Sequence, residues 1–452
     1  MDRIVSIDIA GIEVREKVKG FIEKYGMGYE NIDLKHHCNI FIKEMKKGLE
    51  GDKSSLKMIP TYISMSRDIP TEEPVIVIDA GGTNFRTAVV YFDRNKIPVI
   101  EDFRLYPMPG TQGEVDQDEF FETIAGYIKP LVHRSSKIGF CFSYATEMFP
   151  NKDGRHIKFS KEVQVKGLEG KFIGAGLLNT LKKMGISRQY GMVLLNDTVA
   201  TLLGGKASCP QRLFDGYIVF ILGTGTNTCY EEKVGNIKKL HCNMAAEDSM
   251  LINIESGGYN WTERGVIDSE FDRTTVNPGE YVFEKMISGG YQGGLMQTLI
   301  KKAAEEGLFS CTFRENFGNV KTLISKDIDD FLHFPYAHDN VLAGCCDTAG
   351  TLEGERDRMV LYFLADALIE RAARLVAVNL ASVILKTGRG KNPCAPVCIA
   401  AEGTTFYKSK LFRGKLDYYV KTFMNDREGI YCEFVKTDNA TLVGTAIAGL
   451  AG

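Results

Sequence analysis

Residues 74–92 run Pro74-Val75-Ile76-Val77-Ile78-Asp79-Ala80-Gly81-Gly82-Thr83-Asn84-Phe85-Arg86-Thr87-Ala88-Val89-Val90-Tyr91-Phe92. Val75–Ile78 is an unbroken β-branched run, the pattern of a buried strand. Asp79–Asn84 is a turn signal, and Thr87–Phe92 supplies a second strand. The turn has a chemistry of its own. Two adjacent glycines let backbone N–H groups approach a ligand that side chains would exclude. Thr83 and Asn84 add neutral donors, and Arg86 adds a charged fork. Anionic oxygens need such a set. Asp79, at the strand end, is suited to orienting a hydrated Mg²⁺. The plainer reading is an ordinary hairpin with a capping Asp.

The arrangement recurs. Tyr217–Leu222 is another strand run, Gly223-Thr224-Gly225-Thr226-Asn227 its turn, and Thr228–Glu231 the start of the return strand. Two such hairpins predict a duplicated architecture with halves facing across a cleft, although glycine hairpins are common enough that recurrence alone does not establish it. Further strands are expected at Ile138–Phe142, Met192–Leu195 and Val397–Ala400. Residues 10–56 read as helix, as do Asp118–Val132, Phe172–Met184 and Asp357–Leu385, the last with Leu361, Leu364, Leu368, Ala372 and Leu375 on one apolar face. Alternating strands and helices predict an α/β fold.

The 452 residues are 44% hydrophobic and 25% charged, ordinary for a globular chain. Length alone suggests two or three domains. A net charge of −3 sets up no global basic field that draws the chain to nucleic acid or membrane. The 11 cysteines are scattered, odd in number and without zinc spacing, so a reducing compartment and small buried thiols are expected. An early acid and the lack of a long apolar run argue against a signal peptide or membrane span, which predicts a cytoplasmic chain. No P-loop and no G-x-G-x-x-G fingerprint occur, so a nucleotide here must be held by the hairpin turns.

Leu194-Leu195-Asn196-Asp197-Thr198 places a carboxylate just after a buried strand. Asp197 is positioned to take a proton from an attacking hydroxyl. Asn196 and Asp197 are equally apt as caps of the following helix, and the segment by itself favours the cap.

Six segments, in order, resemble the eukaryotic-type hexokinase family: Lys57–Tyr62, Val77–Arg86, Leu195–Thr201, Gly223–Tyr230, Phe283–Gly289 and Arg371–Leu375. The likeness runs from about residue 35 to the C-terminus. It implies the two-lobed fold of actin-like and Hsp70-like ATPases, a ribonuclease H-like core present twice. Residues 1–75 would form the N-terminal helical part of the large lobe, 76–200 the small lobe and 201–440 the large lobe. Residues 441–452 would return to the small lobe.

The resemblance also assigns residues. Asp79, Ala80, Gly81, Gly82, Thr83 and Asn84 correspond to the first phosphate motif, with Arg86 beside the triphosphate and Asp79 holding Mg²⁺ through water. Gly223, Thr224 and Gly225 correspond to the second. Gly403, Thr404 and Thr405 correspond to the adenosine turn, where Glu402 stands in place of the usual Asp. Asp197 is implied as the base. Ser143, Ser160, Lys161, Asn196, Asn227, Glu255 and Glu284 are implied as sugar contacts.

The implied activity is transfer of the terminal phosphate of ATP to the 6-hydroxyl of a hexose, glucose first, by a monomer or homodimer. Departures ring the sugar site. Ser256 replaces a usual Trp, Glu162-Val163 follows Lys161 in place of Gly-Phe, and Tyr144-Ala145 replaces Phe-Pro. The segment Glu270–Pro278 is shorter than usual. A kinase for fructose, mannose or an amino sugar therefore stays open, as does a non-catalytic sugar sensor. An Hsp70-like ATPase module is a further alternative.

Overall fold

The computed structural model describes residues 2–65, 69–159, 163–207, 211–240, 244–337, 339–346 and 351–451, with side chains from residue 11 onward. Strand Val75–Gly81 pairs antiparallel with Asn84–Phe92 in a register that ends at Gly81 opposite Asn84. The turn is thus two residues, Gly82 and Thr83. Gly82 sits at φ +58, a conformation that glycine adopts without a Cβ penalty.

This hairpin starts a five-stranded sheet. Its order is Gly191–Leu195, Lys137–Phe142, Val75–Gly81, Asn84–Phe92, Pro98–Pro107. The last three form an antiparallel meander, and the first two run parallel to Val75–Gly81. The second sheet repeats the plan in the order Ser249–Asn253, Thr226–Lys233, Gly216–Leu222, Val397–Glu402, Cys432–Val435, extended at one edge by Ile59–Pro60. Again three strands meander and two lie parallel to the first. Counted within each unit, both sheets read 3-2-1-4-5. That shared topology makes the core duplicated, as the recurring hairpins suggested, and it is the ribonuclease H-like fold of the actin-like ATPases.

Each sheet has its own apolar core. Ile76, Ile78 and Phe140 pack with Phe120 and Leu177 on one. Phe220, Tyr230 and Ile252 pack with Phe41, Met45, Leu364 and Val376 on the other. The helix Leu352–Thr387 runs through that larger core and extends beyond the expected Asp357–Leu385. Thr351 caps its start by accepting from Gly354 N, and Gly388 closes it at φ +69. Midway, Arg371 is 1% exposed and grips Asp268 with two hydrogen bonds of 2.6 and 2.7 Å. Asp268 also accepts from Gly265 N at 2.8 Å, so one buried ion pair holds a helix start and the long helix together.

The N-terminal reading needs correction. Residues 10–56 are not one helix but two, Asp2–Lys24 and Leu34–Glu50. Gly26 at φ +65 breaks the first, and Asp33 caps the second through a 2.7 Å hydrogen bond from His36 N. Both signals are local. The apolar periodicity ran through them because both helices bury a face in the same core. The expected helix Asp118–Val132 likewise ends at Ile128, and Lys129–Leu131 tightens to a 3₁₀ turn around Pro130.

Helices Asp197–Ala207 and Ala440–Leu450 each follow the fifth strand of their sheet, and they pack against one another. Glycines set the approach. A Cβ on Gly444 would lie 1.7 Å from Ala200 O, and one on Gly204 would lie 2.2 Å from Ala440 O. Helix Ala440–Leu450 also packs on strands Val75–Gly81 and Lys137–Phe142.

Candidate active site

A cavity of about 510 Å³ opens between the two sheets. Residues of the five-stranded sheet and its loops, such as Ser143 and Asn196, form one wall. Residues of the other sheet, such as Asn227 and Glu255, form the opposite one. Nine of the sequence-assigned residues line it: Ser143, Asn196, Asp197, Gly223, Thr224, Gly225, Asn227, Glu255 and Glu284.

Strand Gly191–Leu195 ends at the cavity floor, and helix Asp197–Ala207 begins there. Asp197 is the first residue of that helix, and its Oδ1 accepts from Thr198 N at 2.7 Å and from Thr198 Oγ1 at 3.2 Å. Asn196 Oδ1 shares the same N–H at 2.9 Å, which leaves its amide NH₂ as a donor. The bonds to Thr198 use only one carboxylate oxygen of Asp197. Among the described residues, Oδ2 has no hydrogen-bond partner. Burial pushes the Asp197 carboxyl up to about 6, the Asp79 and Glu255 charges add to that, and the Thr198 bonds oppose it.

Glu255 and Glu284 repeat the arrangement. Glu255 Oε1 accepts from Asn253 Nδ2 at 2.9 Å and Asn227 Nδ2 at 3.1 Å. Asn227 Nδ2 also reaches Asn253 Oδ1 at 2.7 Å, and its Oδ1 accepts from Thr228 N and Glu255 N. Asn227 thus orients Glu255 as well as lining the cavity. Glu255 itself stands at φ +59. Glu284 Oε2 accepts from Thr226 N at 2.8 Å, and burial raises its pKa. Three carboxylates therefore each spend one oxygen on the protein. Asp197 Oδ2, Glu255 Oε2 and Glu284 Oε1 take no hydrogen bond from any described residue. Fixed acceptors of this kind match a ligand rich in hydroxyl donors.

The glycine turns lie at the cavity's end and beyond it. The second turn is tightly held: Gly223 O accepts from Gly289 N at 2.8 Å and Thr405 Oγ1 at 3.0 Å, and Thr224 O accepts from Gly290 N at 2.9 Å. Gly403, at φ +109, packs directly on it, since a Cβ there would lie 2.7 Å from Gly223 N. Gly403, Thr404 and Thr405 are thus joined to the second turn but do not line the cavity. Asp79–Arg86 also lies outside the lining. Its residues 82–84 are exposed, and Tyr144 OH fixes Gly82 O at 2.7 Å. Arg86 Nη1 pairs with Asp79 Oδ2 at 2.8 Å, so the two groups assigned to phosphate and cation contact each other here. Ser160 and Lys161 lie outside the described residues.

Sequence reasoning passed over Asn253, Thr198 and Tyr281. Asn253 had a signal, because it stands two residues before Glu255 at the end of one strand. Thr198 and Tyr281 carried none that separates them from ordinary cap and loop residues. Among the described residues no cluster of three or more His, Cys, Asp or Glu is placed to hold a metal. Six of the nine described cysteines are buried.

Comparison with known proteins agrees with this geometry. Two family models, both described as Hexokinase, match residues 21–207 and 217–451. Hexokinase-5 of Oryza sativa subsp. japonica is 28% identical over 93% of this chain and 87% of its own. The chloroplastic hexokinase-2 of Nicotiana tabacum is 31% identical over 78% of this chain and 73% of its own. The structure of Schistosoma mansoni hexokinase complexed with glucose matches with a TM-score of 0.75 at 21% identity, covering 98% of this chain and all of that one. That likeness speaks to the fold. With both halves matched by the family models, the chain belongs to the hexokinase family and is a sugar kinase.

Proposed function

We propose that this enzyme transfers the terminal phosphoryl group of ATP to the 6-hydroxyl of glucose, giving glucose 6-phosphate and ADP. The observation that carries the reading is the set of three half-engaged carboxylates, Asp197, Glu255 and Glu284, in one cavity with the second glycine turn. Glucose, the ligand of the Schistosoma mansoni enzyme, supplies the hydroxyls such a set accepts. Glu255 and Glu284 hold sugar hydroxyls, with Ser143, Asn196 and Asn227 completing the polar wall. Asp197 Oδ2 takes the 6-hydroxyl proton as oxygen bonds to phosphorus and the bond to the ADP oxygen breaks. A base near pH 6 is charged at neutral pH and still accepts a proton.

Phosphoryl transfer rests on positioning and charge neutralisation. The N–H groups of the glycine turns and Arg86 serve the phosphates, and Gly403–Thr405 serves the adenosine. A Mg²⁺ ion fits this donor set. Asp79 is one buried carboxylate at a phosphate turn, and Mg²⁺ commonly uses one or two carboxylates with phosphate and water. When bound, the ion neutralises phosphate charge.

The test measures ADP release with glucose, fructose, mannose and glucosamine in parallel. The reading expects glucose to give the highest kcat/KM. Turnover with ATP but not with GTP supports the donor assignment. No sugar-dependent ADP release would overturn it. Scattered cysteines, odd in number, suit a reducing compartment, and we place the enzyme in the cytoplasm. Recovery of activity in an organelle fraction contradicts that placement, since a chloroplastic relative exists.

A further inference from the structure

Tyr281 lines the cavity with Glu255 and Glu284 and has no role in the chemistry above. Its phenol is half-buried, and no described residue gives its hydroxyl a hydrogen bond. Burial, then the charges of Glu255, Glu280 and Glu284, hold its pKa above the ordinary range. The ring thus shares one cavity with both sugar-site acids.

Its backbone is unusual for a large side chain. Tyr281 has φ +51 and ψ 41, in the left-handed region. The segments on either side of it are held by hydrogen bonds. Lys285 N donates to Tyr281 O at 3.0 Å, closing the first turn of helix Val282–Ile287. The buried Lys285 ammonium bonds Asp272 Oδ1 at 2.5 Å and Asn277 O at 2.7 Å, and Gly279 N bonds Asp272 Oδ2 at 2.8 Å. The loop before Tyr281 is thus stapled to helix Val266–Thr274. Glu284 reaches the second glycine turn while its neighbour Lys285 makes the staple. Tyr281, flanking the N-terminus of the short helix, and Glu284, in its first turn, both line the cavity.

We propose that Tyr281 contacts the sugar and helps set which hexose the site accepts. The acids accept hydroxyl protons but offer a sugar ring no apolar face. An aromatic wall supplies that face, and a phenol adds a hydroxyl that donates as well as accepts. A wall held by a stapled loop discriminates, because a misfitting sugar cannot push it aside. The proposal rests on the sugar-site reading of Glu255 and Glu284.

The test uses the full-length enzyme with three variants. Tyr281→Gly suits the left-handed backbone, so it removes the ring without new strain. It should stay folded with an unchanged or higher Tm. Its glucose KM should rise roughly 10-fold or more, and the kcat/KM ratios among glucose, mannose and fructose should flatten, with ATP KM little changed. Tyr281→Phe should keep most of the glucose affinity. Glu255→Ala serves as the reference. An unchanged sugar KM and unchanged ratios in Tyr281→Gly, with a raised KM in Glu255→Ala, overturn the proposal and leave the sugar site standing. If Glu255→Ala also leaves KM unchanged, the sugar-site reading falls and this proposal with it.

Discussion

Replacing Asp197 by Asn should abolish turnover and stabilise the protein at once. The carboxyl is raised from 3.8 to about 6 by burial, so its charge costs free energy in the folded state that it does not cost in the unfolded chain. The shift converts to about 3 kcal/mol once the group is ionised in both states. Water in the cavity screens the half-buried group, which brings the expectation to about 1–3 kcal/mol. The sign follows from proton counts. Below pH 3.8 the group is protonated in both states and costs nothing. Between 3.8 and about 6 the folded state holds the proton that the unfolded state has lost, and the penalty grows with pH. Above about 6 it is complete.

Asp197→Asn removes the charge and keeps an acceptor for Thr198 N and Thr198 Oγ1. At roughly 2.1 cal/mol/K of unfolding entropy per residue, 452 residues give about 1 °C in Tm for each kcal/mol. The assay is thermal unfolding of both proteins at pH 4 and pH 8, with turnover measured at pH 8. The variant should melt about 1–3 °C higher at pH 8 and level with wild type at pH 4. Turnover should fall by ~10²–10⁴ or more, with ATP affinity little changed. A stability gain that persists at pH 4, or none at pH 8, refutes the burial argument. Near-normal turnover refutes the base assignment.

Three further outcomes are expected. The pH profile of kcat/KM should fall on its acid side with a midpoint near 6, because protonated Asp197 cannot accept the substrate proton; a midpoint near 4 contradicts this. Gly403→Ala puts a Cβ 2.2 Å from Leu222 O at φ +109, so it should add about 1–3 kcal/mol of strain and raise ATP KM well before hexose KM; titration calorimetry with a non-hydrolysable ATP analogue checks it. Arg371→Leu leaves Asp268 buried without its partner and should cost about 3–5 kcal/mol, while Arg371→Leu with Asp268→Leu should recover much of that in urea unfolding.

Much of this protein was local enough to read from residues 74–92 and their echo at 217–231. A β-branched run buries, paired glycines turn, and an acid at a strand end faces whatever lies beyond the sheet. Those rules placed both hairpins, most of the helices and the polar character of the cavity. They failed at residues 24–34, where apolar spacing continued through a break between helices because both share one core. They were silent on Tyr281, a left-handed residue that follows a loop pinned by Asp272 and Lys285. The sequence by itself determined which side chains were available and which short segments were strands, turns or helices, because those depend on neighbours along the chain. Only the tertiary structure decided that, among the described residues, Asp197 engages one carboxylate oxygen and leaves the other without a partner, and that Glu255 and Glu284 do the same. Their partners, Asn227, Asn253 and Thr226, come from strands and turns far apart along the chain or from across a strand end, and hydrogen-bond geometry exists only once those are packed together.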